Sequence, residues 1–550
     1  MVSSADSVRS RLPVKFSDRD DSIISGHPAR SVSGPVPLTS TSPTRQAPST
    51  TRFHLASLLS VPVIFFWNSP KRLLPILPVF FVFLWEKLAD IQHKPTKPFY
   101  NNTPQDWATI FIFAFFLRYA RLFCNIWGSW QYKPAPVLKN ASWTSQDVTV
   151  VLPTIDPDNP KFDECILSVL ENRPAAILIV TVGAKMRGRC EELAQVYRKK
   201  YTSTKIGVSA ILHPSKRRQV AHAVPHVETR FTIIADDHVF WPSTNFIPSI
   251  LAPFEDVRTG VVATYKRVRR TTPGEWSIPS IVNLIGCFYL LRHNWELRAS
   301  NAIDGGVFVV SGRTAAYRST LLQSKGFMER FCNEHFFFGM FGGNRGLGPD
   351  DDNFITREAY REGWDIKFQH TDDCTVETSL GDESVEKFWG QLVRWARTTF
   401  RSNPCMLRRV SDVYKWRMPF TYFAVYGAAL FNFALLWDAA LLVSFYLSWF
   451  TPGFFSREMG LLALWILWSK TIKLWPHILR HPSDLPLVIC QILFAYFHSI
   501  IKFWALVTFW DYTWLGRNLD AVDAEAERFE DYLVEDFSFG SEASKNIGVL

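Results

Sequence analysis

The strongest constraint on the fold is an alternation that begins near Val148. Short apolar runs rich in β-branched residues recur at Val148–Leu152, Ala176–Val182, Ile206–Leu212, Phe231–Ile234 and Gly260–Tyr265. Between the first four lie stretches with helical spacing, such as Asp163–Leu170 and Cys190–Lys200. Runs of this kind read as strands, and strands alternating with helices predict an α/β domain with a mostly parallel sheet. The domain is expected over residues 145–402. In such sheets ligands bind beyond the carboxyl ends of the strands.

The flanks have a different character. Residues 1–52 are rich in Ser, Thr, Pro and Arg and poor in large apolar groups, so they cannot bury enough surface to offset chain entropy and are expected to be disordered. No apolar run follows Met1, so no cleaved signal peptide is expected. Residues 53–130 hold three apolar segments. Phe53–Trp67 is short and reads as a span or an interfacial helix; Leu73–Ile91 and Trp107–Trp127 read as spans. If the first of these leaves the cytosol and the second returns, Arg118, Arg121 and Lys133 obey the positive-inside bias. The loop between them then lies outside and carries the sequon Asn101-Asn102-Thr103, with Asn101 a glycosylation candidate. Residues 418–510 hold further candidate spans at Pro419–Phe450, Gly460–Pro476 and Leu485–Trp510. The basic linker Lys470–Asp484 reads as cytosolic. Three spans would place the C-terminus outside, so a re-entrant arrangement of Pro419–Phe450 is the alternative. Residues 511–550 carry Trp514-Leu515-Gly516-Arg517 and an acidic tail.

Composition agrees with this division. Hydrophobic residues make up 47% of the 550, with 45 Phe and 21 Trp, while 20% remain charged. That suits a soluble core flanked by lipid-facing segments. A net charge of +9 allows nucleic acid, anionic lipid or phosphate-bearing substrates as partners. The basic residues are spread along termini and membrane flanks, which argues against nucleic acid. The eight cysteines stand singly with no CxxC pair, so neither a zinc site nor a disulfide framework is suggested.

Five places carry candidate chemistry. The run Ile233-Ile234-Ala235-Asp236-Asp237-His238 ends a strand in two carboxylates, which suits Mg²⁺ or Mn²⁺ or, alternatively, a helix cap or surface turn. Asp156 ends an earlier strand in the same manner, as a nucleotide contact or an Asx cap. His213-Pro214-Ser215-Lys216-Arg217-Arg218 is a basic cluster that could grip a diphosphate or lie solvated at the surface. Asp350-Asp351-Asp352 precedes a helical stretch, where carboxylates suit the macrodipole and where mutual repulsion also makes a general base. In Gln391-Leu392-Val393-Arg394-Trp395, helical spacing puts Gln391, Arg394 and Trp395 on one face. That face serves a pyrophosphate and a sugar ring, or an interfacial membrane helix, or both.

In this order the clusters resemble family-2 inverting glycosyltransferases, namely hyaluronan, chitin and cellulose synthases. The cast is most similar to fungal capsule-type polysaccharide synthases of the hyaluronan-synthase-like group. The resemblance runs from about Val148 to Arg517. It implies a cytosolic GT-A-like nucleotide-sugar-binding domain inserted between N- and C-terminal transmembrane helices, in an integral protein of the plasma membrane. It implies a metal-dependent hexosyltransferase that polymerises a UDP-sugar and passes the polysaccharide across the membrane. By resemblance Asp156, Lys216 and Arg217 contact the donor; Asp236 and Asp237, with His238, hold Mn²⁺ or Mg²⁺; and Asp236 also touches the nucleotide. Asp352 is the base with Asp351 its neighbour, and Gln391, Arg394 and Trp395 clamp donor and acceptor. Val310-Ser311-Gly312 followed by Tyr317-Arg318 is similar to a stretch near the acceptor site, and Trp514, Gly516 and Arg517 resemble a C-terminal gate. The implied partners are the UDP-sugar, the growing polysaccharide and membrane lipid. One departure is that Val180-Thr181-Val182-Gly183 lacks the Asp that usually ends the second strand and reads uracil. Non-processive transfer to a lipid or glycan, and a non-catalytic membrane scaffold or transporter subunit, are the alternatives.

Overall fold

The apolar runs become strands because both of their faces are buried. In the computed structural model, which describes residues 102–336, 340–341, 347–409, 416–512 and 536–540, strand β1 (Val148–Pro153) is buried at every position. Val151 points into one hydrophobic core together with Leu178, Val180 and Ile234. Val150 and Leu152 point into a second core with Ile177, Ile179 and Ile233. Alternate residues thus anchor the two sides of one sheet, each fully buried apolar side chain contributing about 1.5–3 kcal/mol.

The first half winds as expected. Helix α1 (Pro104–Gln131) precedes β1; α2 (Pro160–Leu170), β2 (Ala176–Val182), α3 (Gly183–Lys200), β3 (Lys205–Ile211), α4 (Lys216–Ala223) and β4 (Phe231–Ala235) follow it. Next come β5 (Val239–Phe240), β6 (Thr259–Val268), α5 (Ile278–Asp304), β7 (Thr314–Arg318), α6 (Asp351–Arg361), β8 (Asp365–Gln369), β9 (Thr375–Thr378) and α7 (Val385–Arg409). The strand order is β3-β2-β1-β4-β7-β6-β9-β5, with β8 beside β6. The pairs β1–β2, β1–β4 and β2–β3 are parallel. Strand β7 enters antiparallel between β4 and β6, which makes the sheet mixed. The chain reaches β7 from β6 by way of the long helix α5 and the stretch 305–313.

Among the described residues two helices are long and apolar enough to cross a membrane, Pro104–Gln131 and Pro482–Leu506. Helix α1 covers the expected Trp107–Trp127 and starts with Pro104 and a Thr103–Asp106 capping box. It packs closely on α5 at Gly128, where a Cβ would sit 2.6 Å from the Ala299 carbonyl oxygen. The expected segment Pro419–Phe450 is not one helix. It forms a π-helical turn at Phe420–Gly427 and then, after a break, α8 (Ala434–Leu447). Carbonyls freed at the break are taken by Lys502 Nζ, at 2.9 Å from Ala429 O and 3.1 Å from Asn432 O. Gly460–Pro476 becomes α9 (Arg457–Thr471) and the start of a short helix Trp475–Arg480. The last apolar stretch contains α10 (Val488–Leu506). The basic linker before it is tied to the sheet domain, since Asp484 accepts from Arg270 Nη2 at 2.9 Å and from the Gly274 amide at 2.8 Å.

Far along the chain, Ser538 pairs antiparallel with Val208 on the outer edge of β3. Phe537 is buried beside it and stacks on His222. Phe53–Trp67, Leu73–Ile91, Asn101 and the Trp514–Arg517 element lie outside the described residues.

Candidate active site

One cavity of about 1060 Å³ opens at the carboxyl ends of β1 and β4. Strand β1 stops at Pro153, and the next turn is fixed by Thr154, whose Oγ1 accepts from the Asp156 amide at 3.2 Å. Strand β4 stops at Ala235 and delivers Asp236 and Asp237 to the same rim. The two ends are tied together: Thr154 Oγ1 donates to Asp237 Oδ2 at 2.9 Å, and Asp237 Oδ1 lies 2.9 Å from His238 Nδ1. Asp156 is held from the other side by Asn159 Nδ2 at 3.0 Å.

Lys216 opens α4 beneath the Ser215 cap and is the hub of the acidic rim. Its Nζ lies 2.6 Å from Asp236 Oδ1 and 3.1 Å from Asp351 Oδ2, and it donates to Gly312 O at 3.1 Å. Burial alone would lower its pKa, but the two carboxylates outweigh burial and push it up. Burial likewise favours neutral Asp236, yet Lys216 and then His238 hold its carboxyl below the ordinary value.

The three consecutive carboxylates divide their work by geometry. Asp350 adopts a left-handed conformation with φ +65° and caps the start of α6. Such a backbone is costly for a residue with a Cβ and persists only when its surroundings hold it. Here Arg401 does so, with Nε 2.8 Å from Asp350 Oδ2, and Thr398 donates to the same carboxylate. Burial would raise Asp350, but Arg401 keeps it below its usual range. Asp352 is the opposite case. Burial and then the Asp351 charge push its carboxyl up to about 6. Its Oδ1 accepts from the Asn353 amide at 2.8 Å, which leaves Oδ2 near the Gly312 amide at 3.4 Å. A cavity-lining carboxyl with a pKa close to neutrality suits proton abstraction.

Helix α7 closes the cavity. Leu392, Val393 and Ala396 are buried against the body, and Gln391, Arg394 and Trp395 line the cavity. Burial lowers the Arg394 pKa, opposed by Asp350, Asp352, Asp351 and Asp236 in that order. Trp395 stacks on Tyr289 of α5, ring centroids 5.3 Å apart at 24°. The Arg313 guanidinium also lies 5.4 Å from the Trp395 ring centroid. Beyond Trp395 the cavity continues between α1, α5, α9 and α10, with Arg118, Arg292, Lys473 and Lys502 in its wall.

The cavity therefore gathers Asp156, Lys216, Asp236, Asp237, His238, Asp351, Asp352, Gln391, Arg394 and Trp395. Arg217 does not join them, correcting its expected place at the donor. It is 1% exposed and clamps Phe331 O at 2.7 Å, Glu334 Oε2 at 2.9 Å and Pro349 O at 2.8 Å. Successive residues of a helix start point about 100° apart, so with Lys216 facing the rim Arg217 faces the body; Arg218 lines the cavity instead. Arg318 is also turned away, donating to the carbonyls of Thr259 and Phe254. Sequence reasoning missed Arg313, whose only signal was its place after Ser311-Gly312. It also missed Lys266, 1% exposed on β6 with Nζ 3.2 Å from His293 Nδ1, a group that burial and then Arg313 lower to about 7.

The rim has the donor chemistry for a hard divalent cation. Asp236 and Asp237 bring carboxylate oxygens to one edge of the cavity, and the Lys216 ammonium already bridges Asp236 and Asp351 as a cation would. Among the described residues no three His, Cys, Asp or Glu side chains surround one point. A bound ion would therefore take further ligands from phosphate oxygens or water, as Mg²⁺ habitually does.

Known proteins resemble this chain. The family described as "Glycosyltransferase like family 2" matches residues 145–398. A type 2 glycosyltransferase of Zymoseptoria tritici is 37% identical over 75% of this chain and 84% of its own length. One of Pyricularia oryzae is 36% identical over 77% of this chain and 84% of its own. Among solved structures, the mannosyltransferase PcManGT from Pyrobaculum calidifontis, in complex with GDP-Man and Mn²⁺, aligns at 16% identity. That alignment covers 72% of this chain and 99% of that one, with a TM-score of 0.41.

Proposed function

Since this chain belongs to the family-2 glycosyltransferases, we propose that it is a membrane-embedded inverting enzyme that builds a polysaccharide from a UDP-sugar and passes it across the membrane. The observation that carries the chemistry is Asp352, a half-buried carboxyl raised to about 6 in the cavity that also holds Lys216, Arg394 and Trp395. Asp352 takes the proton of the acceptor hydroxyl. The hydroxyl oxygen bonds to the anomeric carbon as the bond from that carbon to the diphosphate oxygen breaks, and configuration inverts. Lys216, Arg313 and Arg394 meet the charge of the leaving UDP, and Asp351 keeps Asp352 basic. Asp156 holds the nucleotide, Gln391 and Trp395 the acceptor sugar.

Mn²⁺ or Mg²⁺, when bound at Asp236 and Asp237 with His238 beside them, would neutralise diphosphate charge. The catalytic domain faces the cytosol of the plasma membrane in this reading, with α1 and Pro482–Leu506 as spans. Trp514 and Arg517 gate the exit, and Asn101 lies on the outer side.

The test is UDP release by the purified full-length protein across a panel of UDP-sugars, with Mn²⁺ or Mg²⁺. Release with one sugar, followed by products many residues long, supports polymer synthesis. Single additions would assign non-processive transfer instead, and no release with any donor would leave a scaffold.

A further inference from the structure

The part of the cavity beyond Trp395 has its own electrostatic character. Its walls bring together Arg118 and Arg121 from α1, Arg292 from α5, Lys470 and Lys473 from and after α9, and Lys502 from α10. Two carboxylates answer them. Asp438 pairs with Arg118 at 3.4 Å and Lys470 at 2.5 Å, and Glu296 pairs with Arg121 at 3.2 Å. Lys502 is committed to backbone carbonyls at the α8 break.

Arg292 and Lys473 are the surplus. Neither has a carboxylate within ion-pair distance among the described residues. Arg292 lies 4.8 Å from the Tyr289 ring centroid with its Nε buried and without a hydrogen bond, and Lys473 Nζ lies 5.8 Å from the Trp295 ring. In the same wall His498 Nε2 on α10 also lacks a hydrogen-bond partner. Glu296 acts on both from farther off, but it is already paired with Arg121, so these half-buried cations exceed the negative charge beside them and favour a ligand that supplies an anion. Donors and cations converging on one space are what an oxyanion requires.

The surrounding helices indicate where that oxyanion comes from. The chamber lies between α1 and α10, within the two segments apolar enough to cross a bilayer. Their outer sides are apolar, with Phe113, Phe116, Leu493 and Phe503 at least 60% exposed. An anionic group at that depth with an apolar tail beside it is a lipid headgroup.

We propose that the basic chamber binds the phosphate of a membrane lipid, and that a hydroxyl on this headgroup is the first acceptor. The lipid hydroxyl gives its proton to Asp352, its oxygen bonds to the anomeric carbon, and UDP leaves, so a glycosylated phospholipid starts each product. This rests on the glycosyltransferase reading above.

The probe is phosphatidylglycerol, which carries both a phosphodiester and free hydroxyls. Its retention by the full-length protein in neutral detergent is counted by native mass spectrometry, against phosphatidylcholine and an acidic oligogalacturonate. The expected result is selective retention of phosphatidylglycerol. The pair Arg292→Gln and Lys473→Gln should weaken it by roughly tenfold or more, while Arg292→Lys with Lys473→Arg keeps it. UDP binding, read by calorimetry, should be unchanged in both pairs and reports that the nucleotide half is folded. Equal retention after removal of both charges would overturn the proposal, as would preference for oligogalacturonate over phosphatidylglycerol. Absence of UDP binding in the unaltered protein would instead defeat the glycosyltransferase reading while leaving lipid retention to be judged separately.

Discussion

The two ends of the cavity handle charge in opposite ways. At the sheet end the carboxylates lead, and each is answered by the protein itself: Asp236 by Lys216, Asp350 by Arg401, Asp237 by Thr154 and His238. Only Asp352 is left raised, because burial and Asp351 act on it together. At the helix end cations lead, and among the described residues Arg292 and Lys473 have no carboxylate within ion-pair distance, with Glu296 acting on them only from farther off. A network completed internally fixes geometry before substrate arrives. A network left incomplete awaits charge from outside. In the proposed reading the fold thus keeps one end rigid for reaction and the other open for recognition.

The comparison breaks first at Asp352. Replacing it by Asn should reduce sugar transfer by about 10²–10⁴-fold with UDP binding retained; near-normal turnover would mean that the sheet end is not the reaction centre. Arg401→Met should cost stability of about 3–5 kcal/mol by stranding the buried Asp350 carboxylate, read as a lower unfolding midpoint. An unshifted midpoint would show that the acidic end is not internally completed. Acid sharpens the contrast further. Asp352 is protonated below about pH 6 and cannot accept a proton there. Turnover should therefore rise with pH through that value, falling about tenfold per unit on its acid side. A flat profile between pH 5 and 7 would remove Asp352 from the role. The smallest effect is expected at the boundary between the ends. Tyr289→Leu removes the stack on Trp395, worth about 0.5–1.5 kcal/mol, and should raise the acceptor KM with little change in kcat.

The sheet end was the legible part. Its strands are continuous apolar runs, and Asp156, Asp236 and Asp237 stand just past their ends, where an α/β sheet exposes them. The helical spacing of Gln391, Arg394 and Trp395 put them on one face without knowledge of the partner. Arg217 was misplaced because a motif fixes residue order, whereas the direction of each side chain depends on the body of the domain behind α4. The basic chamber was illegible for a related reason. Its charges look like membrane-flanking residues in sequence, and Arg118 meets Asp438 only across 320 positions. Lys470 joins the same carboxylate from another helix. Local patterning cannot encode such encounters, which arise from packing of α1 against α8 and α9.

One consequence concerns biosynthesis. The outer edge of β3 is covered by Ser538, and Arg198 donates to the Ser538 carbonyl across 340 positions at 3.0 Å. An uncovered strand edge is a template for pairing with another chain. Chains are made from the N-terminus, so this edge stays open during synthesis until Ser538 has emerged. The nascent domain must pass through that interval without joining its neighbours, and a message truncated before Ser538 would prolong it for the lifetime of the protein.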